Sequence, residues 1–467
     1  MKHLKVVLSD SVQSKIGSLE GRICVPVCDT DFIDVGAVVI GDCDLELINN
    51  NQIHTFGIPV ILLRFDESKE ISFYKDRITS IIEFASTNMD DCKSEIEKLV
   101  ASYEDSILPP FFSALSDYVE NRNLQFDCPG HQGGQFFYKH PTGRAFYNFF
   151  GENIFRADLC NADVKLGDLL IHEGYAYDAK VYNADKTYFV LNGTSSANKV
   201  VLNALLTPGD IILYDRNNHK SICHGGLVMS GATPIYLETA RNPFGSIGGI
   251  LDHCFDEGYI RSLVAEKSPE KAKAKRPIRL AVIQLGTYDG TIYNARQVVD
   301  KIGHLCDYIF FDSAWVGYEQ FIPMMKDCSP LLLELGPNDP GILVTQSVHK
   351  QQAGFSQTSQ IHKKDSHIKG QDRYVDHKRF NNSFMMHAST SPFYPLFASL
   401  DVNAKIHEGE LGQNLWRECV EVAIDARKVI LKHCKYLRPL VPPIVHGKKM
   451  GRRKYTGYGG RCKLFCL

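Results

Sequence analysis

The sequence predicts an α/β protein in which mostly parallel strands alternate with helices. Short apolar runs of strand length recur along the chain, and segments with helical periodicity separate them. Several of these runs are apolar at consecutive positions, as expected of strands that are covered on both faces by helices. With 467 residues, of which 44% are hydrophobic, the chain is long enough for two to four domains and a large core.

Residues 1–107 are predicted to form a small flavodoxin-like α/β domain that packs against other subunits. Asp10 and Asp42 each follow a strand, as phosphoacceptor carboxylates do in receiver domains. No supporting lysine or threonine pattern accompanies them, so a structural role is favoured. The expected elements are strands at Leu4–Ser9, Arg22–Val27, Val35–Ile40 and Ile58–Leu63, and helices at about Asp76–Phe84 and Ser94–Ile107.

Residues 108–400 are predicted to form a large domain around a mostly parallel sheet. Pro109-Pro110 marks its beginning, because a proline pair ends the preceding helix. In open α/β sheets, ligands bind at the carboxyl ends of the strands, so residues at those positions are candidates for a site. The expected strands are Thr187–Leu191, Ile211–Tyr214, Thr233–Tyr236, Leu280–Gln284, Tyr308–Phe311 and Ile342–Thr345.

Three kinds of side chain at these strand ends match what pyridoxal phosphate (PLP) needs. Lys350, just after a buried strand, would form a Schiff base with the cofactor's aldehyde. Asp312, at the end of another strand, would keep the pyridine nitrogen protonated. A helix that begins at Thr194, Ser195 and Ser196 would bind the phosphate. Locally, a surface lysine, an aspartate N-cap and a plain Ser/Thr cap would give the same patterns.

The chain closely resembles the bacterial ornithine/lysine/arginine decarboxylases, which are PLP enzymes of fold type I. The resemblance covers residues 1 to about 447, and Gln351-Gln352 and Phe311–Trp315 are most similar to the ornithine members. The most specific matches are Phe126-Asp127-Cys128-Pro129-Gly130-His131-Gln132-Gly133-Gly134, Phe155-Arg156-Ala157-Asp158, Asp215-Arg216-Asn217-Asn218-His219-Lys220 and Ser347-Val348-His349-Lys350.

The resemblance implies a role for each candidate site residue. Lys350, Asp312 and His219 are expected to be catalytic, with His219 stacked on one face of the cofactor ring. Ala314 is expected to pack on the other face. The phosphate is expected to contact Thr194, Ser195, Ser196, Ser347 and His349.

The family's reaction is the decarboxylation of an amino acid, and ornithine is the substrate that this resemblance favours. The products would be putrescine and carbon dioxide, as in polyamine biosynthesis. Lysine or arginine decarboxylation remains an alternative. Transamination is a further one, since a fold does not decide the reaction type. The resemblance also implies a homodimer or a larger homo-oligomer.

Residues 401–467 are predicted to begin a C-terminal domain that is truncated. Leu411–His433 is its clearest helical stretch, and Gly447–Arg461 has many glycines and cations but no apolar period. A tail that binds nucleic acid is one interpretation of this segment, and a chain that stops early, or reads out of frame, is the favoured one. A truncated relative that binds PLP without catalysis is therefore also an alternative.

Charge and composition argue against several other classes of protein. The formal net charge of −2 gives no basic surface for nucleic acid, and the longest apolar runs are too short to span a membrane. The 14 cysteines form no CxxC pair, and the histidines show no HxxxH spacing, so no metal site is expected. A cytoplasmic location with reduced cysteines follows as a prediction.

Overall fold

The computed structural model of the chain describes residues 4–27, 30–125, 129–160, 163–215, 218–241, 247–288, 290–439, 444–445 and 448–449. The chain divides into two compact units, Met1–Pro109 and Pro110–Leu467. Most of the tail predicted from residue 447 onward lies outside the described residues. No helix in the part of the chain that the structure describes is long and apolar enough to cross a membrane.

The first unit is a five-stranded parallel sheet with the strand order β2-β1-β3-β4-β5. This is the order of flavodoxin-like folds, so the fold predicted for this region is confirmed. The central strand β3 is buried along its whole length. The elements are β1 (Lys5–Leu8), α1 (Asp10–Ile16), β2 (Cys24–Pro26), β3 (Val35–Gly41), α2 (Asn51–Thr55), β4 (Val60–Arg64), β5 (Ser80–Glu83) and α3 (Met89–Ile107).

The helix predicted at about Asp76–Phe84 is wrong. A 3-10 turn at Ser72–Arg77 is followed by β5, which pairs in parallel with β4. The segment is rich in β-branched residues, which favour the extended chain, and Ile82 is buried in the core of this unit. The next helix begins at Met89, earlier than predicted, because the Asn88 side chain accepts a hydrogen bond from the Asp91 N–H and caps it.

The second unit contains a seven-stranded sheet with the order β6-β14-β13-β12-β11-β7-β8. All neighbouring strands are parallel except those next to β14, which runs antiparallel to β13 and β6. The six strands predicted for this region are all present. The strands of this unit are β6 (Lys186–Val190), β7 (Ile211–Asp215), β8 (Thr233–Leu237), β9 (Thr239–Arg241), β10 (Ile247–Ile250), β11 (Ile278–Gln284), β12 (Cys306–Asp312), β13 (Gly341–Gln346) and β14 (Ser359–Lys364).

Both faces of this sheet are buried. Phe311 and Val344 pack in a core on one face, whereas Phe310 and Leu343 pack in a second core on the other. Consecutive apolar residues in β12 and β13 are thus explained by burial on both sides.

A further pair of short strands, Ile444–Val445 and Lys448–Lys449, is antiparallel.

Helices pack on the faces of the sheet, and further helices follow its last strand in the sequence. The helical stretch predicted at Leu411–His433 is confirmed as α18. The helices of this unit are α4 (Pro110–Glu120), α5 (Gln135–Tyr138), α6 (Pro141–Phe150), α7 (Glu152–Arg156), α8 (Val164–Leu169), α9 (Tyr175–Val181), α10 (Gly193–Leu205), α11 (Lys220–Ile222), α12 (Glu257–Lys267), α13 (Pro269–Ala272), α14 (Ala295–Ile302), α15 (Val348–Gln351), α16 (His377–His387), α17 (Tyr394–His407) and α18 (Gly409–His433).

Candidate active site

An open cavity of about 340 Å³ lies at the carboxyl ends of β12 and β13 and at the beginning of α10. All of the predicted site residues except Ser196 line it: Thr194, Ser195, His219, Asp312, Ala314, Ser347, His349 and Lys350. Parallel strands end at one edge of a sheet, and this arrangement brings together residues that are far apart in the sequence.

Ser196 does not line this cavity. Successive residues of an α-helix are rotated by about 100° around its axis, so the third residue of a Thr-Ser-Ser run faces away from the first. Thr194 and Asn198, which are four positions apart and share one side of α10, both line the cavity. Of the three predicted hydroxyl groups at this helix start, the structure brings those of Thr194 and Ser195 to the site.

Asp312 ends β12 and is only 2% exposed. Its Oδ2 accepts a hydrogen bond from Asn198 Nδ2 at 2.9 Å, and its Oδ1 accepts one from the Ala314 N–H at 3.1 Å. Among the described residues, no lysine or arginine makes a salt bridge with this carboxylate. Burial therefore raises the pKa of Asp312 above its ordinary value, and the Asn198 hydrogen bond opposes this only in part.

Lys350 lies in the short helix α15, directly after β13. Its Nζ is 4.3 Å from the centroid of the Trp315 ring, and both side chains line the cavity. Partial burial lowers the pKa of Lys350, while the charge of Asp312 has the opposite effect. A lowered pKa increases the fraction of unprotonated amine, which is the form that attacks an aldehyde.

The start of α10 and the segment before Lys350 form the hydroxyl-rich end of the cavity. Thr194 Oγ1 and Ser347 Oγ are 2.7 Å apart. Gly193 has φ +69°, and no heavy atom lies within 4 Å of the position that a Cβ would take, so the space beside this backbone is open. His349 Nδ1 donates a hydrogen bond to the Thr358 carbonyl at 2.8 Å, because a carbonyl oxygen can only accept.

His219 caps α11 and lines the same cavity. Its Nδ1 is 2.8 Å from Ser221 Oγ and accepts a hydrogen bond from the Ser221 N–H at 3.3 Å. Burial lowers the pKa of His219, which favours the neutral ring. A neutral imidazole can pack flat against an aromatic cofactor without the cost of burying a charge.

The sequence did not predict four polar or aromatic groups of this cavity. Gln284 is the last residue of β11 and is paired in register with Asp312, so its position at a strand end was a usable signal. Trp315 follows Asp312 closely in the chain. Asn198 and Gln357 gave no comparable signal, because one lies inside a helix and the other in a loop.

The Gly130–Gly134 loop, part of a motif that carries the family resemblance, is not among the residues that line this cavity. His131 Nε2 instead lies 3.1 Å from Asp158 Oδ2, and the Gly134 N–H donates to His131 Nδ1 at 3.1 Å. The contact between His131 and Asp158 therefore links this loop to the Phe155–Asp158 motif. Phe126–Cys128 and Arg216-Asn217, parts of the motifs that carry the family resemblance, lie outside the described residues.

A larger cavity of about 520 Å³ shares Asn192 and Gln357 with the first. Its wall is mostly apolar, with aromatic side chains such as Phe189 and Phe393, and contains no lysine. A covalent cofactor site needs an amine and a partner for the pyridine nitrogen, so the smaller cavity is the better candidate. Within the described ranges, no group of three or more His, Cys, Asp or Glu side chains could hold a metal ion.

The cavity fits PLP in chemical terms. Its buried carboxylate makes no salt bridge with a lysine or arginine among the described residues, which suits a group that would pair with a pyridinium. The open backbone at Gly193, with the hydroxyls of Thr194 and Ser347 beside it, suits a phosphate at the N-terminus of a 13-residue helix. Lys350 is the amine within the same cavity.

Comparison with known proteins agrees with this chemistry. Residues 109–464 match the model of the Orn/Lys/Arg decarboxylase major domain. The chain belongs to this family. Family members are PLP-dependent decarboxylases, so the cofactor predicted from the sequence is that of the family.

The relatives differ in how similar they are to this chain. It is 64% identical to an ornithine decarboxylase of Haemophilus influenzae, over 96% of this chain and 63% of the relative. It is 62% identical to an inducible ornithine decarboxylase of Escherichia coli, over 96% of this chain and 62% of the relative. Relatives named lysine or arginine decarboxylase are 35–39% identical. The chain thus spans less than two thirds of the length of the ornithine decarboxylases.

A solved structure confirms the fold. The chain superposes on a lysine decarboxylase of Francisella novicida with a TM-score of 0.80 and 29% identity, over 98% of this chain and 67% of that one. The predicted α/β architecture with a mostly parallel sheet is therefore that of the family.

Proposed function

We propose that this chain binds PLP through Lys350 and decarboxylates L-ornithine to putrescine and carbon dioxide. One observation carries the proposal: Lys350, the buried Asp312 and the hydroxyl-rich start of α10 line one cavity of about 340 Å³. These groups complement the aldehyde, the pyridine nitrogen and the phosphate of PLP respectively. The division into a wing domain (1–107), a PLP domain (108–400) and the beginning of a C-terminal domain (401–467) belongs to the same proposal.

The chain's own residues would divide the work of binding. Lys350 would hold the cofactor covalently through its Nζ. Thr194, Ser195, Ser347 and His349 hold the phosphate from the hydroxyl-rich end of the cavity. Each of these contacts orients the cofactor without taking part in bond breaking, so their loss should weaken binding more than it changes the chemistry.

Bound PLP supplies an electron sink for the pair that remains on Cα when the carboxylate leaves as carbon dioxide. Asp312 would keep a proton on the pyridine nitrogen, because its carboxylate is buried and makes no salt bridge with a lysine or arginine among the described residues. The neutral His219 ring would pack against one face of the cofactor, and Ala314 is small enough to leave room at the other. Together they hold the ring plane, which decides the bond at Cα that is broken.

The preference for ornithine is supported by the difference in identity between relatives. The ornithine decarboxylases are 60–64% identical to this chain, whereas those named for lysine or arginine reach 35–39%. Lysine is longer than ornithine by one methylene group, so a pocket can separate the two by only about 10–200-fold. Lysine and arginine therefore remain the competing substrates to be measured.

Assembly and location complete the proposal. Family members act as oligomers on amino-acid substrates, and we infer a homodimer or a larger homo-oligomer for this chain. Neither nucleic acid nor a membrane is proposed as a partner. The cytoplasmic location stays a prediction from the sequence.

Carbon dioxide release from ornithine, lysine and arginine, measured in parallel with added PLP, tests this function. We expect release from ornithine, and none from the Lys350→Ala variant. Release from lysine or arginine at a higher kcat/KM would replace the proposed substrate. Normal PLP binding without release from any of the three would reject decarboxylation by this chain.

A further inference from the structure

Asn198 is a polar side chain among apolar neighbours of its own helix. It lies in the second turn of α10, and its side chain is fully buried, as are its helix neighbours Ala197, Val201 and Leu202. Asparagine is a poor helix former, and burying an amide costs free energy unless every polar atom is paired. An apolar residue would serve the helix better, so the position calls for a reason beyond packing.

The amide makes three hydrogen bonds to three different elements. Thr345 Oγ1, on β13, donates to Asn198 Oδ1 at 2.8 Å. Asn198 Nδ2 donates to Asp312 Oδ2 at 2.9 Å and to Ser221 Oγ at 3.0 Å. The orientation of the amide is determined, because an ionised carboxylate only accepts and the nitrogen must therefore face Asp312.

One of the two amide hydrogens fixes the carboxylate of Asp312. With the Asn198 amide on Oδ2 and the Ala314 N–H on Oδ1, the carboxylate cannot rotate freely about its Cβ–Cγ bond. Both donors are neutral, so they stabilise the ionised carboxylate without neutralising it. The negative charge remains available to a cationic group in the cavity.

The other amide hydrogen acts on His219 through Ser221. Ser221 Oγ accepts from Asn198, so its single hydrogen is free to point to His219 Nδ1, 2.8 Å away. The Ser221 N–H also donates to that Nδ1. Nδ1 is thus an acceptor, and the proton of the neutral ring is on Nε2.

We propose that Asn198 is a positioning residue for the PLP site, whose single amide nitrogen holds the carboxylate of Asp312 directly and the ring and tautomer of His219 through Ser221. The two groups that contact the cofactor ring are thereby fixed by one side chain that does not act on the substrate itself. This inference rests on the proposed PLP function of the cavity.

Asn203 provides a matched control on the same helix. It is also an asparagine of α10, and its Nδ2 donates to Ser230 Oγ at 2.7 Å, while His387 Nε2 lies 2.8 Å from its Oδ1. It does not line the cavity. Asn198→Leu and Asn203→Leu remove the same amide from the same helix, and only the first removes it from the cofactor site.

Two measurements on the full chain separate positioning from structural support. Titration with PLP gives the dissociation constant, and solid-state NMR of bound ¹⁵N-labelled PLP reports the protonated fraction of the pyridine nitrogen. For Asn198→Leu we expect PLP binding about tenfold weaker, since a buried carboxylate loses a donor, and a smaller protonated fraction. Asn203→Leu should match the unsubstituted chain in both, although both variants lose thermal stability.

Two more variants apply if Asn198→Leu does not fold. Asn198→Ala removes the amide without adding a larger apolar side chain, and it should also weaken PLP binding and lower the protonated fraction, because Asp312 Oδ2 loses the same donor. Ser221→Ala cuts only the branch to His219 and should weaken PLP binding less than Asn198→Leu does. Unchanged PLP affinity and unchanged protonation in the variants that fold would overturn the role of Asn198. Failure of the unsubstituted chain to bind PLP would instead overturn the proposed function.

Discussion

Asp42 and Asp312 are both buried aspartates that follow a parallel strand, but their surroundings differ. Asp42 follows β3 and is 4% exposed; its Oδ2 accepts from the N–H groups of Phe65 and Asp66, and Lys69 Nζ is 3.4 Å from its Oδ1. Asp312 has one side-chain amide and one backbone N–H, and it faces a cavity.

The pKa values of the two carboxyls move in opposite directions. Burial favours the neutral form of both. For Asp42 the N–H groups of Asp66 and Phe65 and the nearby lysine outweigh burial, and its pKa falls below the ordinary value. For Asp312 burial prevails and the pKa rises. Asp42 is thus a structural carboxylate, because N–H groups and a lysine of its own unit stabilise its charge. Asp312 indicates a ligand site, because a bound ligand would have to supply the cation that pairs with it.

The largest expected difference is between Lys350, which lines the cavity together with Asp312, and Lys69, which contacts Asp42. Lys350→Ala should abolish the visible absorbance of bound PLP and all turnover, because the covalent link to the cofactor is lost. Lys69→Ala should leave both unchanged, since Lys69 is a partly exposed partner of Asp42. Absorbance spectra and carbon dioxide release measure the two effects. If Lys350→Ala retained turnover, the cavity of Asp312 would not be the PLP site, and the contrast between Asp312 and Asp42 would fail.

Substitution of the aspartates themselves should change activity only at one of them. Asp312→Asn is expected to keep PLP bound but to lower kcat by at least about 100-fold, because the positive charge on the pyridine nitrogen loses its stabilising partner. Asp42→Asn should keep the kcat of the unsubstituted chain. Steady-state kinetics at saturating PLP gives both values, and equal losses in the two variants would contradict separate roles.

In the cofactor-free chain, Asp42→Asn should lower the free energy of unfolding more than Asp312→Asn does. Asp42→Asn is expected to cost about 1–3 kcal/mol of unfolding free energy, because a satisfied buried acceptor is lost. Asp312→Asn should cost nothing or stabilise the chain, because it removes a buried charge. Urea denaturation measures both, and a larger loss for Asp312→Asn would argue for a structural role.

The pH dependence of this stability follows from the two pKa directions. The contribution of Asp42 is complete above the ordinary carboxyl pKa of about 4 and is lost as pH falls through its lowered folded-state value. Asp312 acts oppositely: its folded-state pKa is raised, so stability falls as pH rises through that value. On the acid side, between the lowered pKa of Asp42 and about pH 4, the free energy of unfolding should therefore rise with pH in the unsubstituted chain and stay flatter in Asp42→Asn, which urea denaturation at a series of pH values measures.

The smallest expected effect is on Lys350. The charge of Asp312 raises the pKa of this lysine, against the larger effect of burial. Asp312→Asn should therefore lower the pKa of Lys350 further, and only slightly, since Asp312 is the smaller of the two causes. The rate at which PLP attaches to the cofactor-free chain, followed against pH, should have a lower midpoint in the variant. An unchanged midpoint would mean that the two groups do not interact, and a higher one would contradict the direction of the effect.

The sequence predicted the charged residues that follow buried strands and the hydroxyl-rich start of α10, but it missed Gln284 at the end of β11 and the partners inside elements. Asp312 and Lys350 were found because charged residues after buried strands are conspicuous. Asn198 and Thr345 were not found, because one asparagine in a helix and one threonine in a strand are ordinary until their partners are known. Long-range hydrogen bonds of this kind leave no periodic pattern.

The prediction of the fold was limited in the same way: strands with a clear apolar pattern were found, and strands without one were missed. The six apolar strands of the large sheet were predicted, whereas β14 was not, because its sequence Ser-Gln-Ile-His-Lys-Lys is polar. It is nevertheless buried between β6 and β13, where Gln360 Nε2 donates to Gln346 Oε1 at 2.8 Å. The missed β5 has a related cause, since a four-residue strand is too short for a clear period.

Borohydride reduction of the PLP-loaded chain, followed by peptide mass spectrometry, tests most directly whether the cavity that contains Asp312 and Lys350 is the cofactor site. Reduction makes the bond between PLP and its lysine permanent, so the modified residue can be identified. The cofactor's mass is expected on the peptide that contains Lys350, and to disappear from it in Lys350→Ala. Stoichiometric modification of any other lysine, or of none, would contradict the assignment of this site.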